Sequence, residues 1–385
     1  MDKKGSLMSR RVNRRSLLQQ GALTAGAATM STVLAGGGKL AFGQSSGDSL
    51  TRGDIAILRF LAAAEILESD LWTQYAELGG IGNNKPIEID PNQKLNAYQV
   101  ALSNLDSDGP QYIASNTLDE VSHATFLNAY LQSKGAEPVN LDEFRTLPGS
   151  TATGSSGMLR LTNLMQLNVD TSWYVRYRSA TNPDFGATFP QALTLNNVTA
   201  IPRNDGDFEG ASNPNFPGND HSQAIANVAA FHFGMIEQGG SSLYAALSQK
   251  VTSREVLKIT LGIGGDEIAH FLEWVDFSGN GVQPPVAPFS DPISGLSFPN
   301  FFTPPPPQLN LSQVQPSLIF PVPCEFIHTD LPPCSVIRPS DDKFAGAQAA
   351  VAALTSDGLF TGQSQQFFKT IMRLAEEADA ARRGF

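Results

Sequence analysis

Two Glu-x-x-His pairs contain the side chains of this sequence that are best suited to chemistry. Glu120 is followed three residues later by His123, and Glu267 is followed by His270. In a helix, residues three apart project from the same face, so each pair would place a carboxylate beside an imidazole. Carboxylate oxygens and imidazole nitrogens are common ligands of divalent metal ions. Each pair is therefore predicted to supply half of a metal site.

A third Glu-x-x-His pair, Glu325 and His328, is not expected to bind a metal ion. It lies in a proline-rich stretch between Pro321 and Pro333. Because proline interrupts helices, nothing would hold these two side chains on one helical face. We interpret this third pair as a chance match.

The sequence around the first two pairs predicts four long helices. Apolar side chains recur at spacings of three and four in four stretches, about Thr51–Leu78, Gln111–Lys134, Ser222–Gln249, and from Thr252 or Ser253 to about Gly279. Asp54 is the expected N-cap of the first helix. Both Glu-x-x-His pairs fall on the apolar stripes of the second and fourth helices, which should face the core. Buried polar groups need partners, and coordination to a metal ion would provide one for both pairs.

The first and third predicted helices each add a carboxylate to an apolar stripe. Glu237 lies in the third helix, while Glu65 and Glu68 both fit the spacing of the first. Glu65 is preferred because its alanine neighbours leave room for an ion. Four glutamates and two histidines from four helices form the pattern of a carboxylate-bridged dinuclear site. This ligand set suits iron or manganese, so two Fe or Mn ions are the predicted cofactors.

Two glycines follow Glu237 within the third predicted helix. Gly239 and Gly240 would each weaken a helix by roughly 1 kcal/mol relative to alanine. The same residues would also permit another helix to pack closely beside the site. The sequence leaves both interpretations open.

These motifs resemble the ferritin-like domain proteins that include plant desiccation-related proteins and their bacterial and fungal relatives. The resemblance covers roughly Asp54–Gly279 and rests on four segments: AAAEILESDLW, LDEVSHATFLNAYL, FHFGMIEQGGSSLYAAL and GDEIAHFLEW. It implies an all-α, up-down four-helix bundle with a long crossover, residues 136–220, between helices 2 and 3. Bacterioferritin, rubrerythrin and manganese catalase are neighbours of this family.

The resemblance implies redox chemistry on peroxide or dioxygen, either catalase-like or ferroxidase-like. The long crossover, the proline-rich region and the export signal described below differ from storage ferritins, so iron storage in a cage is not expected. The alternative function is that of a non-enzymatic desiccation or stress-related envelope protein that keeps the bundle for structure or binding.

Residues 1–43 are predicted to be an export signal. The segment Asn13-Arg14-Arg15-Ser16-Leu17-Leu18 resembles a twin-arginine motif. An apolar run of small residues follows from about Gly21 to Ala35 and is too short to span a membrane stably. We expect cleavage near Gln44, a periplasmic or extracellular location, and no membrane attachment after the signal is removed.

The charge of the chain argues against nucleic acid as a partner. The full sequence has 26 basic and 37 acidic side chains, a formal net charge of −11. Without residues 1–43, 19 basic and 36 acidic side chains are left, a net charge of −17. Such a surface repels nucleic acid and anionic lipid. Metal ions and a small oxidant are the expected partners, and a homo-oligomer is compatible with the sequence.

The remaining sequence divides into three predicted regions. Residues 44–280 form the bundle, residues 281–340 a proline-rich arm, and residues 341–385 a helical segment with helices at Asp341–Leu354 and Gly362–Arg383. The arm contains both cysteines of the chain, Cys324 and Cys334. In an oxidising compartment these two cysteines are expected to form a disulfide.

Overall fold

The chain is mostly helical, as the sequence predicts. The computed structural model describes residues 50–81, 94–171, 193–281, 285–300, 328, 330–332, 334 and 346–383. The predicted export signal, Cys324 and Glu325 lie outside the described residues, so the signal and the disulfide stay predictions. None of the described helices is long and apolar enough to cross a membrane.

The helices within the described residues are α1 (Arg52–Gly79), α2 (Ala97–Leu105), α3 (Gly109–Ser133), α4 (Asp220–Ser248), α5 (Arg254–Gly281), α6 (Ala347–Ser356) and α7 (Gln365–Asp379). Four of them, α1, α3, α4 and α5, have 25 to 29 residues. These four correspond to the predicted long helices, with ends shifted by one or two residues.

Two short antiparallel strand pairs, which were not predicted, accompany the helices. Strands β1 (Leu167–Asp170) and β2 (Thr194–Val198) pair with each other, as do β3 (Phe289–Ser290) and β4 (Ser297–Phe298). Single turns of 3-10 helix span Asp142–Phe144 and Asp205–Phe208. All of these elements lie in connections between the helices.

The long helices pack most extensively as two pairs, α1 with α3 and α4 with α5, while α7 packs against α1. An aromatic cluster joins α1, α4 and α5 at the centre of the core. The ring of Trp72 lies 5.2 Å from that of Trp274 and 4.9 Å from that of Phe233, measured between centroids. Large buried aromatic side chains contribute much of a core's apolar area, so this cluster fixes the distances between the helices.

The start of α1 differs from its prediction. Thr51, and not Asp54, is the N-cap, because its hydroxyl accepts a hydrogen bond from the Asp54 amide. Asp54 lies three residues inside the helix, and its carboxylate accepts hydrogen bonds from the amides of Thr252 at 2.8 Å and Ser253 at 3.1 Å. The carboxylate therefore joins the start of α1 to the start of α5.

His221, at the beginning of α4, contacts two of the segments that connect the helices. Its Nε2 lies 3.1 Å from Asp207 Oδ1, and its Nδ1 lies 2.8 Å from Asp291 Oδ2. The hydrogen bonds to these two aspartates raise the pKa of His221 above its usual value, against the opposing effect of burial. The protonated imidazole thus holds two carboxylates that come from different connections.

We expect His221→Gln to lower the free energy of unfolding more at about pH 6 than at about pH 9. Because the folded-state pKa is raised, the ionic contribution is complete below the unfolded value of about 6.5 and is lost as the pH rises through the folded-state pKa. Denaturant titrations at both pH values measure the difference. His328→Gln is the control, since the side chain of His328 is 64% exposed. An effect of His221→Gln that is equal at both pH values would contradict this role.

Candidate metal centre

Six acidic and imidazole side chains from the four long helices converge in the core. Their ligand atoms form two groups, and within each group all the atoms lie within 4.8 Å of one another. The first group consists of Glu65, Glu120, His123 and Glu267. The second consists of Glu120, Glu237, Glu267 and His270. All six residues are buried, and two glutamates, one from each Glu-x-x-His pair, belong to both groups.

The two oxygens of Glu120 face different imidazoles. Oε2 lies 3.2 Å from Nδ1 of His123, and Oε1 lies 3.1 Å from Nδ1 of His270. The His123 nitrogen is also 3.4 Å from Glu65 Oε2, and the His270 nitrogen is 3.4 Å from Glu237 Oε2. Glu120 therefore lies between two separate sets of ligand atoms. A carboxylate in this position can bridge two ions.

Several buried atoms of this cluster have no hydrogen-bond partner. They are Glu65 Oε2, Glu237 Oε2, both carboxylate oxygens of Glu267, and His270 Nδ1. A buried carboxylate oxygen without a partner is costly, because it has lost its hydration and gained nothing in return. Cations placed among these atoms would satisfy all of them. The buried Glu/His groups can thus hold a metal ion.

The carboxylates of the cluster repel one another in a dry environment. Burial, together with the carboxylate of Glu237, raises the pKa of Glu120 to about 7. Burial and the carboxylate of Glu120 also raise the pKa of Glu267 well above its usual value. Burial favours the uncharged form, and nearby like charges add to the effect. Protons or cations must therefore neutralise part of the cluster.

The carboxylate of Glu267 fits against the backbone of α4 at Gly240. A Cβ atom added to Gly240 would lie 2.2 Å from Glu267 Oε2, which is closer than atoms can approach. At the preceding residue, Gly239, an added Cβ would meet nothing within 4 Å. Of the two glycines, Gly240 alone is needed for close approach of the neighbouring helix beside the cluster.

Three neutral side chains orient the carboxylates. The amide of Asn116 donates to Glu120 Oε1 at 2.8 Å and to Glu237 Oε1 at 3.2 Å. Trp274 Nε1 donates to the side-chain oxygen of Asn116 at 2.6 Å, which fixes the orientation of that amide. The Tyr244 hydroxyl donates a hydrogen bond to Glu65.

Two aspartates contact the imidazoles on the side away from the cluster. Asp266 Oδ2 lies 3.2 Å from His123 Nε2, and Asp119 Oδ2 lies 3.4 Å from His270 Nε2. Each contact crosses between α3 and α5. A hydrogen bond at Nε2 leaves Nδ1 facing the glutamates, an arrangement found at many metal-binding histidines. Burial would lower the pKa of His123, but its hydrogen bonds to Asp266, Glu120 and Glu65 raise it to about 12.

Sequence reasoning did not identify these aspartates, although a signal was present. Asp119 directly precedes Glu120, and Asp266 directly precedes Glu267, so both motifs read Asp-Glu-x-x-His. Asn116, Tyr244 and Trp274 gave no comparable signal, because their roles depend on helices that are distant in sequence.

The remaining candidates lie outside the cluster. Glu68 belongs to neither group and lines a neighbouring cavity. It still lies near the cluster: burial and the carboxylates of Glu65, Glu120 and Glu237 raise its pKa well above the usual value. His328, from the third Glu-x-x-His pair, is exposed to solvent, and Glu325 lies outside the described residues.

Comparison with known proteins identifies no relative. No family model, no curated protein and no solved structure matches the chain. The resemblance to ferritin-like proteins therefore stays a prediction from the sequence.

Gly240→Ala is expected to lower metal affinity strongly, because the added methyl group would displace the Glu267 carboxylate. Gly239→Ala is the matched control, since its methyl group would enter open space on the same helix. Isothermal titration with Mn²⁺ compares both variants with the unaltered chain. Equal affinities for the two variants would show that Glu267 does not contribute to binding.

Asp266→Asn is expected to weaken metal binding by about 10- to 100-fold, because the neutral amide no longer orients and polarises His123. Asp276→Asn, an exposed position on the same helix, is the control and should bind as the unaltered chain does. Competition with a fluorescent chelator measures both affinities. A change of less than about twofold for Asp266→Asn would exclude this orienting role.

Proposed function

We propose that this chain is an exported ferritin-like protein whose dinuclear iron or manganese centre supports redox chemistry on peroxide or dioxygen. The observation that carries the proposal is the pair of ligand groups that share Glu120 and Glu267. Each group adds one further glutamate and one histidine, which matches the four-glutamate, two-histidine set of ferritin-like dinuclear proteins.

The arrangement of the long helices supports the ferritin-like part of the proposal. Contacts between α3 and α5 run in opposite directions along the two helices, from Tyr112 beside Trp274 to Tyr130 hydrogen-bonded to Glu255. A long connection separates α3 from α4, whereas a short one joins α4 to α5. An up-down bundle with one long crossover has these features.

The ligand types support iron or manganese. Four carboxylates and two imidazoles offer mainly oxygen donors, with one nitrogen for each ion. A pair of redox-active ions would supply the electron transfers that peroxide disproportionation or the oxidation of ferrous iron requires. The sequence resemblance favours these two reactions equally.

The residues around the centre would prepare it for this chemistry. The bridging glutamates would neutralise two cations at short separation, and the hydrogen bonds from Asn116 and Tyr244 would hold the carboxylates in place. The aromatic core beside Trp274 excludes water from that side. A dry, preorganised site strengthens electrostatic interactions with a bound oxidant.

Export rests on the sequence of residues 1–43 alone. A twin-arginine signal implies that the chain folds, and receives its metal, before it leaves the cytoplasm. Two of the cluster's carboxylates have raised pKa values, so metal insertion would release protons.

The decisive experiment is a metal analysis of the purified chain and of two glutamate variants. We expect about two ions per chain in the unaltered protein. Glu65→Ala should lose most of the bound metal, because Glu65 belongs to the first ligand group, whereas Glu68→Ala should retain it. The two residues lie on the same helix, so each variant controls for the other.

Peroxide consumption by the metal-loaded chain tests the reaction. Turnover that is present in the unaltered chain and abolished in Glu65→Ala would support the proposed chemistry. Metal binding without any peroxide or ferrous-iron turnover would contradict the redox role and favour the alternative, a stress-related envelope protein. Less than about one ion per two chains would reject the dinuclear centre itself.

A further inference from the structure

A tyrosine and a histidine form a hydrogen-bonded pair in the core, outside the candidate metal centre. The hydroxyl oxygen of Tyr75, on α1, lies 2.7 Å from Nδ1 of His232, on α4. Both side chains are completely buried. Neither residue belongs to the two ligand groups, so metal binding does not account for the pair.

The phenol is the donor in this hydrogen bond. When Tyr75 donates to Nδ1, the N–H at Nε2 of His232 is the one polar group of the pair that is left without a partner. In the reverse arrangement, both the hydroxyl hydrogen and Nε2 would lack partners, which costs more. Burial lowers the pKa of His232 to about 3, so the imidazole is neutral. The hydroxyl hydrogen of Tyr75 therefore faces the lone pair of a neutral base.

Two tryptophans connect this pair to the candidate metal centre. The ring of Trp72 lies 5.6 Å from that of Tyr75 and 5.2 Å from that of Trp274, measured between centroids. The indole N–H of Trp274 donates to Asn116, whose amide donates to Glu120 at 2.8 Å. Neighbouring groups in this series are in contact or hydrogen-bonded. An electron can therefore pass from the pair toward the ligand cluster in short steps.

The proton acceptors decide where a missing electron on this path would remain. An aromatic side chain that loses an electron becomes a strong acid, and its radical persists only when a base takes the proton. Trp72 Nε1 has no hydrogen-bond partner among the described residues, and Trp274 Nε1 faces the amide oxygen of Asn116, which is not a base at neutral pH. Of these three aromatic residues, Tyr75 alone donates to a base.

Two other buried tyrosines have less suitable acceptors. Tyr98 donates to the backbone oxygen of Ala200 at 2.7 Å, and a backbone oxygen does not take up a proton at neutral pH. Tyr244 donates to Glu65, which belongs to the first ligand group. A carboxylate that binds a cation has little affinity for a proton. Tyr75 is thus better placed than either of them to lose an electron and a proton together.

We propose that Tyr75 and His232 form a redox-active pair that gives one electron to an oxidant by way of Trp72 and Trp274. The O–H bond of Tyr75 breaks, its proton forms an N–H bond at Nδ1 of His232, and the electron passes to the oxidant, which is reduced. The products are a neutral tyrosyl radical and an imidazolium ion. That the oxidant is the metal centre after its oxidation by peroxide or dioxygen rests on the proposed function, whereas the redox property of the pair does not.

The first test uses the full-length chain after metal removal with a chelator. Photogenerated ruthenium(III) tris-bipyridine, formed by a light flash with persulfate, is the oxidant, and electron paramagnetic resonance of frozen samples detects radicals. Radicals at the protein surface react quickly with one another, so the signal that persists after the flash is compared. We expect a persistent tyrosyl radical in the unaltered chain and its loss in Tyr75→Phe.

Tyr98→Phe is the matched control. Both substitutions remove one buried hydroxyl group that donates a hydrogen bond of 2.7 Å. Tyr98→Phe should therefore retain the persistent radical. A persistent signal of equal size in Tyr75→Phe would overturn the assignment, and so would loss of the signal in both variants.

His232→Asn separates the base from the hydrogen bond. The asparagine oxygen can occupy the place of Nδ1 and accept from Tyr75, but it does not take up the proton. We expect the folded variant, checked by circular dichroism, to lose the persistent radical. Its persistence there would overturn the role of His232. High-field spectra of the unaltered chain test the same point without a substitution, because the hydrogen bond from an imidazolium lowers the largest g value of a tyrosyl radical. A g value typical of a radical without a hydrogen bond would overturn the pair.

The second test adds peroxide to the iron-loaded chain. We expect the same radical, with a lower yield in Trp72→Phe, because phenylalanine is much harder to oxidise than tryptophan. An equal yield in Trp72→Phe would overturn the path through Trp72. A chain that forms the radical with ruthenium but binds no metal would refute the proposed centre and support the pair. A chain that binds metal and consumes peroxide, but forms no persistent radical with either oxidant, would overturn the pair and leave the proposed function intact.

Discussion

The burial of four carboxylates at one point is the constraint on which the rest of this structure depends. Acidic groups are rarely buried without partners, because the loss of hydration is far larger than any single hydrogen bond returns. Here several of the oxygens have no protein partner. The pKa values of Glu120 and Glu267 are raised for the same reason, because burial and the neighbouring carboxylates disfavour the ionised form. A fold that keeps such a cluster needs protons or cations at its centre.

Side chains on two sides of the cluster reduce the free-energy cost of burying its carboxylates. Asp119 and Asp266 contact the imidazoles from the side nearer to solvent, and each links α3 to α5. On the opposite side, Trp274 and Asn116 connect the carboxylates to the aromatic core. These contacts come from residues that no local interaction brings together. The geometry of the cluster and the packing of the four helices are therefore coupled.

The C-terminal helices α6 and α7 form part of the wall of a cavity beside the proposed centre. Without α6 and α7, the apolar faces of α1 and α4 near Gly240 would lack part of their cover. With these helices in place, an apolar cavity adjoins a highly charged cluster, separated by Gly240 and Tyr244. The buried Glu/His groups that can hold a metal ion thus lie next to an apolar cavity.

The sequence by itself determined the four long helices and the inward direction of Glu120, His123, Glu267 and His270, because helical periodicity and spacing are local properties of a chain. Only the tertiary structure distinguishes Glu65 from Glu68: both fit the periodicity of α1, and of the two only Glu65 belongs to a ligand group. The crossed aspartates, the close approach at Gly240 and the cavity were likewise decided by contacts between helices distant in sequence. Spacing along one helix carries no information about such contacts.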